Sequence, residues 1–302
     1  MVGSGTVDLI AIDAGLPGTS GMQAVEEIMS SRPLPVLVLI SAIGSRAELA
    51  SAALAAGAVD AVGKDEINLA DVAGPRGAAF RDRIRLLARA HVIRHPRARL
   101  RRQPHLAGPG RAASAIGFCA STGGPSVLAT VLSSLPPGYP IPLLVVQHIS
   151  AGFTAGLVSW LDHAAGLPVQ LAVHGARAAA GAWIAPEGAN LRLGRAGRLE
   201  VDRAADGGPY QPSGDVLLAS IAEVAGPAGI AVVLTGMGAD GAQGAAAVRR
   251  AGGFAIAQDE PSSAVYGMPR VAAENGVNLV LPPAEIVSYL AGLRYQPLAA
   301  AP

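Results

Sequence analysis

Three polar residues of the kinds used in nucleophilic catalysis each follow an apolar run of this 302-residue chain. Ser121 lies in FCASTGGP, His148 in LLVVQHIS and Asp240 in LTGMGADGA. Each run has the length and composition of a buried strand. Ligands and catalytic groups gather beyond the carboxyl ends of strands in open α/β sheets, so the three side chains are predicted to lie at one edge of a sheet. A serine, a histidine and an aspartate at such an edge indicate a nucleophilic hydrolase.

Each of these residues also has a purely structural interpretation. Ser121 and Asp240 are compatible with helix N-caps, because both precede a predicted helix. His148 alone is compatible with a capping or core histidine. A dinucleotide-binding turn at Ser121 is disfavoured, because FCASTGG does not match G-x-G-x-x-G and no acidic residue follows at the required distance. The occurrence of all three types at three strand ends favours the hydrolase.

The composition restricts the class of protein. The length is typical of two domains, and an apolar fraction of 51% allows a large core. A net charge of +1 and only 4% aromatic residues argue against a nucleic-acid-binding surface. The single cysteine, Cys119, excludes an intrachain disulfide and favours a reducing compartment. No apolar run approaches the ~18 residues of a membrane span, and no leader pattern opens the sequence. We predict a cytoplasmic protein without membrane insertion.

Strands alternate with helices in two stretches, which predicts an α/β fold. Between residues 76 and 111 there are eleven arginines and one acidic residue, and residues 95–113 are rich in Arg, Pro and Gly. We therefore predict domains at 1–94 and 114–296 joined by a linker at 95–113. The second domain is predicted to contain a doubly wound, mainly parallel sheet, with a small antiparallel hairpin formed by WIAP, NLRLG and RLEVD. The arginines have no aromatic partners, so no nucleic-acid partner is predicted.

Residues 114–292 resemble the catalytic domain of the chemotaxis protein-glutamate methylesterases, the CheB family. The resemblance implies a triad of Ser121, His148 and Asp240, with Thr122 beside the nucleophile and Met237 near the oxyanion. It also implies hydrolysis of γ-glutamyl methyl esters on chemoreceptors, glutamine deamidation, and no cofactor or metal for the esterase. The segments that carry it are ASTGGP at 120–125, QHISAGFT at 147–154, IAPEGANLRL at 184–193, PSGDVLLASIA at 212–222, LTGMGADGA at 234–242 and QDEPSSAVYGMPRVA at 258–272.

Two positions depart from the family pattern in this half of the chain. Cys119 stands where the family commonly has glycine before Ala-Ser, and Gly214 replaces the valine of the usual PSVD. Neither residue belongs to the triad. Cys119 is predicted to be a small buried side chain at a strand end, without a role as a reactive thiol.

The N-terminal part resembles a response-regulator receiver domain, which has a flavodoxin-like fold. Asp13 in IAIDAGLPGTSG matches the phosphoacceptor, Ser41 the hydroxyl residue that contacts the phosphoryl group, and Lys64 the lysine of the site. Leu16 replaces the usual methionine, and Asp65 stands where proline is usual. The resemblance implies phosphorylation by the chemotaxis histidine kinase, which relieves a block of the esterase site by the receiver.

The receiver family begins with a strand, a helix and a second strand that this sequence lacks. Its first strand ends in an acidic pair that holds Mg²⁺, so we expect Mg²⁺ only for a complete receiver and expect the true start to lie upstream of Met1. As given, the remaining strands are expected to have an unpaired edge and an exposed apolar face. A degenerate receiver is the alternative. The corresponding alternative function is a non-catalytic two-component signalling or binding module.

Overall fold

A computed structural model describes residues 7–16, 21–41, 46–67, 74–90, 110–203 and 210–298. The chain divides into two compact units. The first contains residues 1–100 together with Ile149–Leu157, and the second contains residues 101–148 and 158–302. Most of the predicted linker at 95–113 lies outside the described residues, so the domain limits stay a prediction.

The first unit contains a parallel sheet of three strands in the order β1-β2-β3. Among the described residues β1 pairs with β2 alone, which leaves the expected unpaired edge. Val36, Val38 and Ile40 of β2 are fully buried against Val25 and Ala53 of the flanking helices. The elements are β1 Ile10–Asp13, α1 Gly21–Ser31, β2 Val36–Ile40, α2 Arg46–Ala55, β3 Asp60–Gly63 and α3 Pro75–Leu87.

The second unit contains most of the strands and helices. Its strands are β4 Ala112–Ala113, β5 Ala115–Ala120, β6 Pro142–Gln147, β7 Val169–Leu171, β8 Gly181–Ile184, β9 Asn190–Leu193, β10 Leu199–Asp202, β11 Gly229–Val233, β12 Phe254–Gln258, β13 Leu279–Leu281 and β14 Arg294–Tyr295. Its helices are α4 Gly124–Ser134, α6 Gly214–Ala225, α7 Ala242–Arg250, α8 Met268–Glu274 and α9 Pro283–Ala291, and α5 Thr154–Ala164 begins in the first unit and ends in this one. None of the helices in the described part of the chain is long and apolar enough to cross a membrane.

Seven strands form one parallel sheet in the order β13-β12-β11-β5-β6-β8-β7. From β5 the chain continues to β6 on one side, whereas β11 leads to β12 and β13 on the other. The switch point of the topology therefore lies between β5 and β11, and ligands bind beyond the carboxyl ends of the strands at such a point. The prediction of a doubly wound, mainly parallel sheet is confirmed.

The central strand β5 is buried on both faces, which explains its uninterrupted apolar sequence. Ile116 and Phe118 are fully buried on one face. On the other face, a Cβ at Gly117 would lie 2.5 Å from Leu218 and 2.6 Å from Ile221, so only glycine lets α6 approach this closely. Helices α6 and α7 and the hairpin of β9 and β10 share the hydrophobic cluster on this face.

The predicted antiparallel hairpin is confirmed for two of its three segments. NLRLG and RLEVD supply β9 and β10, which pair antiparallel from Asn190 opposite Asp202 to Leu193 opposite Leu199. The assignment of WIAP to this hairpin was wrong, because its first two residues belong to β8, a parallel strand between β6 and β7. All four residues of β8 are buried. The sequence pattern of a segment this short does not distinguish a strand with one exposed face from a strand that is buried on both faces.

Candidate active site

Ser121 is the first residue after β5, in the turn that leads to α4. Its N–H donates to the Thr235 carbonyl at 3.0 Å, and its carbonyl accepts from the Gly124 N–H at 2.8 Å. The N-cap of α4 is Gly123, whose φ of 78° is the left-handed conformation that favours glycine. The interpretation of Ser121 as the N-cap was therefore wrong. Its half-buried side chain lies at the carboxyl edge of the sheet and is not used by the helix.

His148 is the first residue after β6, beside the turn that carries Ser121. Ala120 and Gln147 are paired at the ends of β5 and β6, and the His148 N–H donates to the Ala120 carbonyl at 2.9 Å. The imidazole Nε2 lies 2.8 Å from Asp240 Oδ2. No hydrogen bond links the Ser121 hydroxyl to the imidazole, although the structure describes both residues. Such catalytic contacts are often long before substrate binds.

Asp240 lies in the loop after β11, and its side chain is only 1% exposed. The N-cap of α7 is Gly241, with no side-chain cap, so the interpretation of Asp240 as the cap of its own helix was wrong. The carboxylate instead faces the N-terminus of α6. Its donors are His148 Nε2 at 2.8 Å, Ser213 Oγ at 3.0 Å, the Gly214 N–H at 2.6 Å and the Asp215 N–H at 3.0 Å.

These donors keep the buried carboxylate ionised. Burial by itself would raise the pKa of Asp240, but the hydrogen bonds from His148, Gly214 and Asp215 outweigh it and lower the pKa below its usual value. The positive end of the α6 dipole acts in the same direction. The pKa of the neighbouring Asp215 is raised, first by burial and also by the charge of Asp240. An ionised carboxylate against the imidazole can stabilise the imidazolium that forms when histidine accepts a proton.

Thr122 follows Ser121 in the same turn, and Met237 follows Gly236 in the loop after β11. Thr122 is buried, whereas Met237 is 46% exposed, and its N–H has no acceptor among the described residues. Gly236 lets the Met237 loop run against the nucleophile, because a Cβ at Gly236 would lie 2.7 Å from Ser121 Cβ and would overlap Met268 Sδ. The loop that carries Met237 therefore runs directly against Ser121.

Three polar residues that the sequence analysis did not single out fix this edge. Gln147 Nε2 donates to the carbonyls of Ser121 at 2.7 Å and His148 at 2.8 Å. Thr235 Oγ1 donates to the Thr122 carbonyl at 3.0 Å, and the Thr235 N–H donates to Gln258 Oε1 at 2.8 Å. All three are buried. The sequence feature that could have identified them is the polar residue at the end of each apolar run.

Tyr210 was also missed, because nothing in its local sequence distinguishes it. Its ring stacks on the His148 imidazole, with centroids 5.0 Å apart and planes within 8° of parallel. The quoted PSGD motif begins two residues later, and Ser213 and Gly214 of that motif bind Asp240. This segment therefore contacts both the histidine and the aspartate.

The two departures from the family pattern lie in contact with each other. A Cβ at Gly214 would overlap Cys119 Sγ, so the cysteine side chain occupies the space that a larger residue at 214 would need. Cys119 is fully buried, with Sγ 3.6 Å from the Asp240 carbonyl oxygen. Burial raises the pKa of the Cys119 thiol well above its usual value, which keeps it protonated.

The first unit brings together two of its three candidate residues. Lys64 Nζ forms an ion pair with Asp13 Oδ2, and the Gly15 N–H donates to Asp13 Oδ1 at 3.0 Å. The hydrogen bonds from Lys64, and then from Gly15, lower the pKa of Asp13. Ser41 follows the neighbouring strand β2 and is half-buried, but no hydrogen bond joins it to Asp13 or Lys64 among these described residues.

The Asp13 carboxylate is engaged by protein donors in the described part of the chain. Mg²⁺ is usually held by one or two carboxylates together with waters and phosphate oxygens. Asp13 uses its carboxylate oxygens for Lys64 and Gly15. Within the described ranges, no group of three or more His, Cys, Asp or Glu side chains could hold a metal ion.

Comparison with known proteins identifies relatives of both units. The family model for CheB methylesterase matches residues 116–290. A protein-glutamate methylesterase/protein-glutamine glutaminase of Myxococcus xanthus is 42% identical over 270 residues, which are 88% of this chain and 75% of that protein. A protein of the same name from Paramagnetospirillum magneticum is 36% identical over 97% of this chain and 85% of its own length. These alignments extend well beyond the second unit.

A solved structure supports the fold of the second unit. The catalytic domain of the Thermotoga maritima CheB methylesterase superposes with a TM-score of 0.57 at 36% sequence identity. The match covers 59% of this chain and 97% of that domain. A family match over more than half of the chain, close relatives over most of its length and a shared catalytic-domain fold agree: the chain belongs to the CheB methylesterase family.

Proposed function

We propose that this chain is a carboxylic ester hydrolase that removes methyl groups from glutamate side chains of chemoreceptors and converts glutamine side chains to glutamate. The observation that carries the proposal is the hydrogen bond of 2.8 Å between His148 Nε2 and Asp240 Oδ2, at the sheet edge where Ser121 lies. The relatives named protein-glutamate methylesterase/protein-glutamine glutaminase support the same substrate class.

In the proposed first step, Ser121 Oγ attacks the carbonyl carbon of the γ-methyl ester. His148 Nε2 carries the hydrogen that faces Asp240, which leaves Nδ1 as the unprotonated base that takes the serine proton. The negative charge of Asp240 stabilises the resulting imidazolium. The Ser121 N–H is engaged by the Thr235 carbonyl, so the developing oxyanion needs other donors. The free Met237 N–H is one of them.

In the proposed second step, the imidazolium of His148 returns its proton to the departing methoxide, and methanol leaves. The product is an ester between Ser121 Oγ and the glutamyl γ-carbonyl. Water activated by the same imidazole then attacks this ester. The products are a free glutamate side chain on the receptor and the restored Ser121 hydroxyl. When the substrate is glutamine, the leaving group is ammonia and the remaining steps are unchanged.

For the first unit, we propose Asp13 as the phosphoacceptor, with Ser41 and Lys64 as its site partners and the chemotaxis histidine kinase as phosphodonor. The ion pair between Lys64 and Asp13 supports this assignment. Mg²⁺ is proposed only for a receiver that also contains the acidic pair. We further propose that the protein acts in the cytoplasm without a nucleic-acid partner. The alternative, a non-catalytic signalling or binding module, gains no support from the relatives.

Methanol release from methylated chemoreceptor membranes tests the esterase. Substitution of Ser121 by alanine removes the nucleophile and is expected to reduce the rate by about 10⁴-fold or more. Ser133→Ala is the matched control, because Ser133 is an exposed serine of α4 and lies outside the site. Its rate is expected to equal that of the native chain. Undiminished methanol release by folded Ser121→Ala would overturn the assignment.

A further inference from the structure

Tyr210 covers one face of the His148 imidazole. The two rings are nearly parallel, with planes 8° apart and centroids separated by 5.0 Å. The far end of the tyrosine lies against the loop that carries Asp240, because a Cβ at Gly238 would lie 2.7 Å from the Tyr210 hydroxyl oxygen. Tyr210 is 37% exposed, so it forms a wall of the site rather than part of the core.

The position of Tyr210 is set by the same segment that holds the aspartate. Ser213 donates through Oγ to Asp240, and its N–H donates to Asn190 Oδ1 at 2.9 Å. Asn190 is buried on β9, so the hairpin anchors the segment. Residues 210–215 therefore contact the histidine through a ring and the aspartate through hydrogen bonds.

A triad histidine must keep two ring nitrogens aimed at two partners. The His148 ring can still rotate about its Cβ–Cγ bond, because Nε2 lies close to that axis and the hydrogen bond to Asp240 restricts this rotation only weakly. A flat contact against the ring face removes this rotation and leaves both nitrogens, which lie in the ring plane, unobstructed. Stacking therefore supplies the constraint that the hydrogen bond alone lacks.

We propose that Tyr210 is a positioning residue that holds the His148 ring plane so that Nδ1 faces Ser121. The proposal rests on the proposed function of the triad. Tyr210 acts through the histidine and makes no bond to the reacting atoms. Because the loss of orientation weakens the chemical step and not substrate binding, the expected effect is on kcat.

Kinetics of methanol release by Tyr210 variants of the full chain test the proposal. Tyr210→Ala is expected to lower kcat by about 10- to 100-fold with KM within about twofold of native. Tyr210→Phe keeps the ring and is expected to retain kcat within about threefold. Tyr295→Ala is the control for removal of an exposed tyrosine from the same unit, and its kcat is expected to be native.

Three kinetic outcomes would overturn the proposal. An unchanged kcat in Tyr210→Ala would show that the stack is not needed. A rise in KM without a fall in kcat would make Tyr210 a substrate-binding residue. A loss in Tyr210→Phe as large as in Tyr210→Ala would assign the role to the hydroxyl at Gly238 instead of the ring. Circular dichroism and thermal unfolding confirm that each variant is folded.

Nuclear magnetic resonance of the His148 imidazole separates this proposal from the proposed function. In the native chain, the ¹⁵N shifts are expected to report one tautomer with Nε2 protonated, and nuclear spin relaxation of the ring is expected to report a rigid side chain. In Tyr210→Ala, the relaxation is expected to report a more mobile ring. An equally rigid ring in that variant overturns the positioning role even if the native chain releases no methanol. If the native chain is active, Ser121→Ala is inactive and Tyr210→Ala keeps native activity, the positioning role of Tyr210 is rejected while the proposed triad stands.

Discussion

The two units place an aspartate at the same kind of position and hold it in different ways. Asp240 and Asp13 both lie beyond the carboxyl ends of parallel strands, and hydrogen bonds lower the pKa of both. The side chain of Asp240 is 1% exposed and accepts hydrogen bonds from His148, Ser213, Gly214 and Asp215, with the Cys119 thiol as a weak further donor at 4.0 Å. That of Asp13 is 36% exposed and is held by Lys64 and Gly15.

The difference follows from the place of each aspartate in its sheet. Asp240 lies at the switch point of a seven-stranded sheet, where β5 and β6 supply the serine and histidine and α6 directs its N-terminus at the carboxylate. Asp13 ends β1, which has a paired neighbour on one side alone within the described residues. The donors to Asp240 come from the end of β6 and the N-terminus of α6, whereas the described donors to Asp13 come from its own loop and from the residue after β3.

Replacing each aspartate by asparagine is expected to give the largest difference between the two units. Asp240→Asn keeps the shape of the side chain but removes the charge and allows the wrong imidazole tautomer, so kcat for methanol release is expected to fall by about 10⁴-fold. Asp13→Asn lies outside the proposed triad and is expected to leave the unstimulated rate within about twofold of native.

Both variants are measured on methylated receptor membranes without phosphodonor, with circular dichroism as the check of folding. Retention of more than about a tenth of the native kcat by Asp240→Asn would contradict the role of Asp240. A comparable loss in Asp13→Asn would mean that the first unit contributes directly to the chemistry.

The contact between Cys119 and Gly214 allows a test of the packing that supports Asp240 in the second unit. Gly214→Val alone places its side chain against Cys119 Sγ and disturbs an N–H donor of Asp240, so we expect a loss of about 1–3 kcal/mol in the free energy of unfolding. When Cys119→Gly is added, the space is restored and the sequence matches the family pattern at both positions. The double variant is expected to be more stable than Gly214→Val.

A double-mutant cycle by denaturant unfolding measures this coupling. The expected interaction between the two substitutions is favourable, because the valine occupies the volume that the cysteine leaves. Ser133→Ala again serves as the reference for a substitution outside the core. Simple addition of the two single losses would show that the side chains do not compete for the same space.

The sequence was sufficient to predict that His148 and Asp240 meet, but not what holds the aspartate. Ser121, His148 and Asp240 were identifiable as candidates because each follows an apolar run, and parallel strands bring such ends to one edge. The N-terminus of α6 was not identifiable as the partner of Asp240, because the PSGD segment precedes Asp240 by more than twenty residues and its position depends on tertiary packing. Tyr210 lacked a signal for the same reason.

The capping interpretations and the hairpin assignment failed for related physical reasons. Ser121 and Asp240 precede helices, but glycines at 123 and 241 occupy the cap positions, and the polar side chains turn toward the site. WIAP was assigned to the hairpin because local alternation does not report whether the second face of a strand is covered. In the first unit, the strands and helices followed the predicted order from β1 to β3.

Removal of the Lys64 side chain is expected to have the smallest effect of these substitutions. Lys64 is the single lysine of the chain, so its ¹⁵N-labelled side chain gives one resonance that follows the ionisation of Asp13. Lys64→Met is expected to raise the pKa of Asp13 toward its ordinary value of about 3.9. Carboxyl ¹³C titration measures the shift, and Arg32→Met, which removes an exposed positive charge elsewhere in the unit, is expected to leave it unchanged.

The effect of Lys64→Met on stability is expected to be below about 1 kcal/mol, because both partners are partly exposed and solvent screens their attraction. Since the pKa of Asp13 is lowered in the folded chain, this contribution is present above about pH 4 and is lost as the pH falls through the folded value. It should also shrink at high ionic strength. A pH-independent difference in the free energy of unfolding that exceeds this limit would mean that Lys64 is held as firmly as the buried partners of Asp240. The two aspartates would then not differ in how firmly they are held.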